Sequence, residues 1–313
     1  MERLPGDRPV PDRLRGGVVA LGNFDGFHVG HQAVVGRALA LARETGVPAL
    51  VATFDPHPAR LFKPDAPPFL LTRIDQRMDL FEAFGMDGAL ALPFDHALAA
   101  LGPERFMAEW LVERIGASAL VTGEDFTFGK DRGGNTALLR SLAHQRGMLA
   151  ETIAPVEADG GVASSTRIRD SLRAGDPQAA ARLLTRPFAI RGAVQHGDKL
   201  GRTIGYPTAN VAIGDYLRPA YGVYAVRGRL ADGRVVDGAA NLGVRPQFDP
   251  PKELLEPYFF DFSGDLYGQT IEIELIEYLR PEAKFDGLDA LVAQIDADCA
   301  KARDILAGNP AAL

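Results

Sequence analysis

The sequence predicts a two-domain protein: an α/β domain with a parallel sheet and helices on both faces, then a small antiparallel β-barrel with a C-terminal helix. Three observations carry this. Between residues 17 and 153, short apolar runs alternate with amphipathic helical stretches, the signature of βα units with parallel strands. Between 187 and 281 the runs are β-rich, are separated by Gly, Asp and Pro, and have no helices between them, as in an antiparallel barrel. At 313 residues the chain exceeds one typical domain, and the change of texture puts the boundary near 185, giving domains of 1–185 and 186–313.

In the first domain, residues 1–15 read as an irregular tail, and 17–22 as the first strand. A helix over 31–45 carries Val34, Val35, Leu39 and Leu41 on its apolar face. A second strand, 48–54, ends at Asp55-Pro56-His57-Pro58, a segment expected in neither helix nor strand interior. Thr72 is the expected N-cap of the next helix, with Asp75 at the capping-box position, Ile74, Met78, Leu80, Phe81 and Phe84 apolar, and Gly85 as its stop. A strand over 88–93, a helix over 103–115, a strand over 118–122, a helix near 136–147 and a strand over 149–153 complete the pattern. In such sheets ligands bind beyond the C-terminal strand ends. That edge is where the loops 23–31, 55–58 and 123–130 are expected to converge.

Two helices follow, to about 174 and from Asp176-Pro177 to about 184. Barrel strands are expected at 188–194, 211–213, 222–229, 235–241, 258–261 and 270–278, with Asp232-Gly233 as a hairpin turn. The run 271–276 alternates with period two, one face buried and one solvated. The last helix, 285–305, is expected to pack through Leu288, Leu291, Val292, Ile295 and Ile305, with a frayed Ala-rich tail at 306–313.

Composition bounds the function. A net charge of −7 argues against a general nucleic-acid binder, whose footprint is basic, while leaving room for small anionic ligands. Cys299 is the single cysteine, so no intramolecular disulfide forms, which suits a reducing cytoplasm. Residues 1–16 lack the apolar core of a signal peptide, and no apolar run reaches membrane-spanning length. The expectation is a cytoplasmic protein without nucleic-acid or membrane partners, a monomer or transient homo-oligomer.

The stretch 18–32 organises the first domain. An apolar run enters a turn containing Gly22, Gly26 and Gly30, passes His28 and His31, and opens a helix. Strand, glycine turn and helix N-terminus form a natural anion cradle. Gly30 leaves space where a phosphate or adenine would approach, and flanking imidazoles can donate hydrogen bonds to growing phosphate charge. The same histidines could be half of a metal site, but zinc requires three or four ligands and no further His pair has ligand spacing. Ser164-Ser165-Thr166-Arg167-Ile168-Arg169 places hydroxyls and arginines at a helix start, either as ordinary caps or as a second phosphate corner. Gly201-Arg202-Thr203-Ile204-Gly205-Tyr206-Pro207-Thr208-Ala209-Asn210 reads either as a shaped loop or as a site where the Thr208 hydroxyl and Asn210 amide oxygen meet one Mg²⁺ or a nucleotide phosphate.

These stretches carry a resemblance. Residues 22–31 resemble the H-x-G-H signature of nucleotidyltransferases in the longer form G-x-F-D-G-x-H-x-G-H of the bacterial bifunctional riboflavin kinase/FMN adenylyltransferases, or FAD synthetases. Ser164–Arg169 is similar to that family's S-S-T-x-I-R motif, and 201–210 to its riboflavin kinase motif G-R-x-x-G-[FY]-P-T-A-N. Asn241–Pro246, Glu256, Asp261–Gly268 and Arg280–Phe285 follow in the family's order. Gln247 departs from it, standing where the family usually has Thr.

The resemblance implies a Rossmann-like nucleotidyltransferase domain and a riboflavin kinase domain. It implies a kinase converting riboflavin and ATP to FMN, and an adenylyltransferase joining FMN to AMP, giving FAD and pyrophosphate. It gives His28, His31 and Glu256 catalytic roles. Gly22, Phe24, Gly30, Ser165, Thr166, Arg169, Gly201, Gly205, Pro207, Thr208 and Asn210 fall to nucleotide, and Asp55, Pro56, Pro58, Asp125, Phe126, Phe128 and Arg245 to flavin. Mg²⁺ at Thr208 and Asn210 accompanies ATP. Rival readings are a nucleotidyltransferase for another phosphate, such as a pantetheine or nicotinamide mononucleotide, an aminoacyl-tRNA synthetase relative, and a flavin-storage or sensor protein without turnover.

Overall fold

The structure, a computed structural model, describes residues 1–196, 201, 204–245 and 252–309. Arg202 and Thr203 of the 201–210 motif, Pro246-Gln247-Phe248 and residues 310–313 of the Ala-rich tail lie outside the described residues.

The chain divides into two compact units, Met1–Pro67 with Thr72–Ser164, and Pro68–Leu71 with Ser165–Leu313. The first holds a six-stranded sheet of β1 (Glu2–Pro5), β2 (Val18–Leu21), β3 (Ala49–Asp55), β4 (Gly88–Pro93), β5 (Ala119–Gly123) and β6 (Leu149–Ile153), in the order β1-β4-β3-β2-β5-β6. Every pairing is parallel. Such a sheet is covered on both faces, so its strands are near-continuously apolar. β2 shows how the two-residue period divides them: Val19 and Leu21 enter one core with Leu50, Met107 and Leu120, while Val18 and Ala20 enter the other with Val35, Ala38 and Phe81.

Several sequence expectations need correction here. The supposed irregular tail contains β1, in register with β4 from Glu2↔Gly88 to Pro5↔Ala91. The first helix, α1 (Val29–Thr45), begins before His31, because the ring of His28 caps it. The Asp55–Pro58 segment is partly regular: Asp55 ends β3, and α2 (Pro58–Phe62) starts with proline at its first turn. The N-cap of α3 (Ile74–Ala83) is Arg73, whose N–H donates to Gln76 Oε1 at 3.1 Å, rather than Thr72 with Asp75. The helix over 103–115 opens as α at Pro103–Arg105 and continues as a π-helix over Phe106–Ile115. After α4 (Thr136–His144) and β6, a small hairpin of β7 (Glu157–Ala158) and β8 (Gly161–Val162) was not expected.

The second unit begins with α5 (Ser165–Arg173) and α6 (Pro177–Leu184). A closed barrel follows, with β9 (Phe188–Gln195), β10 (Asn210–Ala212), β11 (Gly222–Arg229), β12 (Val235–Arg245), β13 (Lys252–Phe259) and β14 (Thr270–Arg280) in the order β10-β13-β12-β11-β14-β9. On β14 Ile271, Ile273 and Leu275 form the expected inner face, but the other face is not solvated as expected: Glu274 is buried against Arg229, Ile276 is buried in a second cluster with Ala302 and Leu306, and Glu272 is half-buried on Arg191. Two strands run further than their apolar residues indicated. β12 reaches Arg245, and β13 starts at Lys252 rather than 258, placing Glu256 within a strand. The terminal helix α7 (Leu288–Ala307) packs through Ala302 and Leu306 against Ala225, Ala239, Phe260 and Ile276. Leu288, expected on that face, is 62% exposed, whereas Asp298 is buried because Arg280 grips its carboxylate with Nη2···Oδ2 at 2.7 Å.

Candidate active sites

β2 runs into the turn 22–28 at the C-terminal edge of the sheet, beside the end of β3: Gly22 N–H donates to the Ala52 carbonyl at 3.2 Å, and Thr53 Oγ1 to the Asn23 carbonyl at 2.8 Å. The turn is tightly wound. Phe24 and Phe27 adopt left-handed backbone conformations (φ 49° and 45°), which non-glycine residues hold only where surroundings enforce them. Two buried groups do so. Asp25 accepts from Thr72 N–H at 2.9 Å and Thr72 Oγ1 at 3.2 Å, and Gly26 N–H donates to the same hydroxyl at 2.9 Å. Arg77, 1% exposed, sends Nη1 to the Asn23 carbonyl (2.8 Å), Thr53 Oγ1 (3.0 Å) and the Phe54 carbonyl (3.3 Å). Burial pulls its guanidinium below the usual arginine range, opposed by the charges of Asp25 and Asp55.

This framework holds the two histidines. His28 is the N-cap of α1, its Nδ1 accepting from Gly30 N–H at 3.2 Å, which leaves the proton of a neutral ring on Nε2. The His28 and His31 rings stack at 3.7 Å with 23° between planes, and the buried Phe24 ring meets His31 edge-on at 5.4 Å. A Cβ on Gly30 would lie 3.1 Å from the His28 ring, so this glycine makes room for the imidazole as well as for any ligand. His28 is buried and His31 half-buried. Imidazole N–H groups at a helix N-terminus form an arrangement that receives and stabilises phosphate charge.

On the flavin side of the sequence reading, Asp55 and Pro56 are exposed and Pro58 half-buried. Asp125 is exposed and Phe126 half-buried, stacked at 5.8 Å on Phe128, which sits in the core. The loop following β5 shares the C-terminal edge, since β5 pairs in parallel with β2. Ser165 and Thr166 open α5 in the second compact unit, and Arg169 donates from Nε to the Phe69 carbonyl at 2.9 Å.

In the barrel, Gly201 accepts at its carbonyl from Tyr206 N–H at 2.8 Å; a Cβ there would lie 2.2 Å from the Tyr206 carbonyl oxygen. Gly205 has φ +89°, which glycine alone adopts freely. Thr208 and Pro207 border a cleft of about 340 Å³ with Val194, Pro257, Phe262 and Tyr267. Asn210 opens β10, and its place is fixed by pairing: Val211 faces Leu255, and Ala209 N–H donates to the Pro257 carbonyl at 2.9 Å, bracketing Asn210 opposite Glu256. Arg245 Nη2 donates to Glu256 Oε2, and Arg245 Nη1 lies 3.3 Å from Glu282 Oε1. The Tyr206 hydroxyl donates to Asp296 Oδ1 on α7, which pushes the phenol up to about 12. Among the described residues no cluster of three or more His, Cys, Asp or Glu is placed to hold a metal. The hydroxyl and amide oxygens of Thr208 and Asn210 fit a Mg²⁺ that takes few protein ligands and keeps phosphate and water for the rest.

Thr72 and Arg77 are the site-building residues that sequence reasoning missed as such, since each acts on partners at least 23 residues away along the chain; Glu282 stands in the Arg280–Phe285 stretch that follows the family's order, where no role was assigned to it.

Comparison with known proteins identifies the family. The family described as FAD synthetase matches residues 10–167, and the family described as riboflavin kinase matches 184–306. Curated relatives named bifunctional riboflavin kinase/FMN adenylyltransferase include that of Pseudomonas fluorescens, 41% identical over 98% of this chain and 98% of the relative. Those of Haemophilus influenzae (38%, covering 93% and 94%) and Bacillus subtilis (37%, covering 90% and 90%) are similar over nearly the same span. A solved structure described as a macrolide-efflux protein from Streptococcus pneumoniae superposes with a TM-score of 0.86 at 32% identity, over 97% of this chain and 99% of that one. Among the described residues of the present chain, no helix is long and apolar enough to cross a membrane. With two family matches in sequence order, each containing one of the two constellations, the chain belongs to the bifunctional riboflavin kinase/FMN adenylyltransferase family.

Proposed function

We propose that the family's two activities are divided here between two separate sites: riboflavin phosphorylation around Thr208, Asn210 and Glu256, and FMN adenylylation around His28 and His31. The carrying observation is that Glu256, the acid the resemblance assigns as base, stands across the strand pair from Asn210.

In the kinase reaction the riboflavin 5′-hydroxyl oxygen bonds to the γ-phosphorus of ATP, the bond to the bridging oxygen breaks, and ADP leaves. Such transfers require mainly positioning and charge neutralisation. Glu256 orients the hydroxyl and takes its proton. Thr208 and Asn210 hold the triphosphate end of the nucleotide together with Mg²⁺, which neutralises phosphate charge when bound. Gly201, Gly205 and Pro207 shape the loop that presents them, and Arg245 lies beside the flavin hydroxyl.

In the adenylyltransferase reaction an FMN phosphate oxygen attacks the α-phosphorus of ATP and pyrophosphate departs. The nucleophile is already anionic, so no strong base is needed. His28, donating from Nε2, and His31 stabilise the charge gathering on the α-phosphate and leaving group. Gly22, Phe24 and Gly30 shape the nucleotide loop, and Ser165, Thr166 and Arg169 grip the polyphosphate. Asp55, Pro56, Pro58, Asp125, Phe126 and Phe128 form the flavin side, with the half-buried Phe126 offering a stacking surface. The partners are thus riboflavin, FMN, FAD, ATP and pyrophosphate, in a cytoplasmic setting.

The test follows riboflavin, FMN and FAD separately in the full chain supplied with ATP and Mg²⁺. Asn210→Ala and Glu256→Gln stop FMN formation from riboflavin and leave FAD formation from supplied FMN intact. Loss of both reactions in a folded variant overturns the division.

A further inference from the structure

Arg77 ties together two chain segments that leave the same edge of the parallel sheet. It stands on α3, 1% exposed, and its guanidinium meets three consecutive residues at the end of β3. Nη1 donates to Thr53 Oγ1 at 3.0 Å and to the Phe54 carbonyl at 3.3 Å, and Nη2 lies 4.0 Å from Asp55 Oδ1. The same Nη1 donates to the Asn23 carbonyl at 2.8 Å, in the turn that carries His28. Thr53 Oγ1 donates to that carbonyl as well, at 2.8 Å, so guanidinium, hydroxyl and carbonyl close a ring between the turn and β3. On one side of the ring the chain runs to the two imidazoles, and on the other from Asp55 into the segment 55–58.

Stability of the unit does not call for this arrangement. A buried guanidinium is costly, and well-packed apolar side chains often serve equally well in such a place. Arg77 Nε has no partner among the described residues, which leaves a donor unmade in the interior. The packing of α3 on the turn does not depend on the guanidinium. Phe81 meets the Phe24 ring at 5.9 Å and the Phe27 ring at 5.2 Å, both edge-on, and Met78 joins them in the same core. What the guanidinium adds is a fixed distance between Asn23 and the Thr53–Asp55 end of β3.

That distance matters when two separate molecules are joined. In adenylyl transfer a bond forms between an FMN phosphate oxygen and the α-phosphorus of ATP, while the bond from that phosphorus to the bridging oxygen breaks and pyrophosphate leaves. The two phosphates must stand in line, and misplacement by about 1 Å costs about a hundredfold in rate. We propose that Arg77 is a positioning residue of this step, holding the nucleotide turn and the flavin-side segment at the spacing at which the two phosphates react. This rests on the reading of the His28–His31 site given above. Buried as it is, Arg77 touches neither substrate, so each binds without it and only the step between bound substrates depends on it.

The experiment is single-turnover FAD formation from limiting FMN and saturating Mg-ATP, with the full chain in excess and its concentration raised until the rate levels off. FMN formation from riboflavin is the internal control. An unfolded fraction raises the protein concentration needed and leaves the limiting rate unchanged, whereas misplaced substrates lower the limiting rate itself. Arg77→Met, which fills the space without donors, is expected to lower the limiting rate about thirty- to a hundredfold, with the control within about twofold of wild type. Arg77→Lys, whose ammonium keeps donors for Asn23 and Thr53, recovers the rate to within about fivefold of wild type. Thr53→Val keeps the guanidinium and opens the ring at the hydroxyl, slowing the step about three- to tenfold; it decides the matter if Arg77→Met does not fold. A limiting rate within about twofold of wild type in Arg77→Met, or in Thr53→Val where the former does not fold, overturns the proposal, as does Arg77→Lys no faster than Arg77→Met. Wild-type FAD formation in His28→Asn overturns the site reading beneath it. A slow His28→Asn beside wild-type limiting rates in the Arg77 and Thr53 variants removes only the role of Arg77.

Discussion

Thr72→Val tests how the nucleotide turn is built. Valine keeps the shape of threonine and exchanges only the hydroxyl, so no cavity opens at this buried site. The change deletes two buried hydrogen bonds at once, the one from Gly26 N–H (2.9 Å) and the one to Asp25 (3.2 Å), and leaves Asp25 the bond from the residue-72 N–H. Loss of a buried acceptor costs about 1–3 kcal/mol. Trp110 is the only tryptophan in the chain and lies in the core of the first unit, so its emission reports that unit alone. With a urea slope near 2 kcal/mol per M, the midpoint falls by about 0.5–1.5 M. Thr72→Ser, which retains the hydroxyl, stays close to wild type. The same loss loosens the turn that carries His28, so FAD formation declines while FMN formation does not. A Thr72→Val variant with an unchanged midpoint and unchanged FAD synthesis would refute the assignment of this hydroxyl as the clamp of the turn.

Other expectations follow from the barrel. Glu253, held by Arg218 at 2.6 Å and by the Tyr221 hydroxyl, has its carboxyl below the usual glutamate range, chiefly through the Arg218 hydrogen bond. A depressed acid stabilises the fold above its unfolded value and loses that contribution as pH falls through the folded one. Glu253→Gln therefore lowers the barrel's melting temperature at pH 7 and narrows its difference from wild type below pH 4, measured by calorimetry. Tyr221, pushed up to about 12 mainly by burial, behaves in the opposite sense: its contribution is complete below the ordinary tyrosine value and is lost as pH rises through 12. Tyr221→Phe thus flattens the alkaline edge of the same curve. Burial pushes the Cys299 thiol up to about 11, so alkylation of the native chain at pH 7.5 is far slower than that of an exposed thiol and rises about tenfold per pH unit. Rapid labelling without unfolding would contradict the packing drawn for α7.

The parts of the fold legible in the sequence are those where burial is contiguous along the chain. Val18–Leu21 and Ala49–Phe54 announce central parallel strands because both faces are covered. β1 escaped notice because Glu2 and Arg3 lie at a sheet edge, where one neighbour suffices and charge is tolerated. β13 was obscured by Glu253, Glu256 and Pro257, which interrupt its apolar run. The register of α7 depends on Arg280, which turns Asp298 inward and leaves Leu288 outside; no helical pattern contains that information. For the sites, the contiguous stretches 22–31 and 201–210 could be read directly. Thr72 looked like a cap because capping and clamping use the same hydroxyl, and a histidine cap falls outside the usual capping residues. Arg77 works only through partners distant in sequence.

His28→Asn is the most direct test of the claim that two separate constellations serve two reactions. Asparagine supplies the capping acceptor that His28 gives to Gly30 N–H, so α1 keeps its start while the imidazole at the phosphate site is gone. Given riboflavin, ATP and Mg²⁺, the variant should accumulate FMN at the wild-type rate and form FAD at least about a hundredfold more slowly. FAD appearing at the wild-type rate, or a folded variant unable to make FMN, would contradict the account.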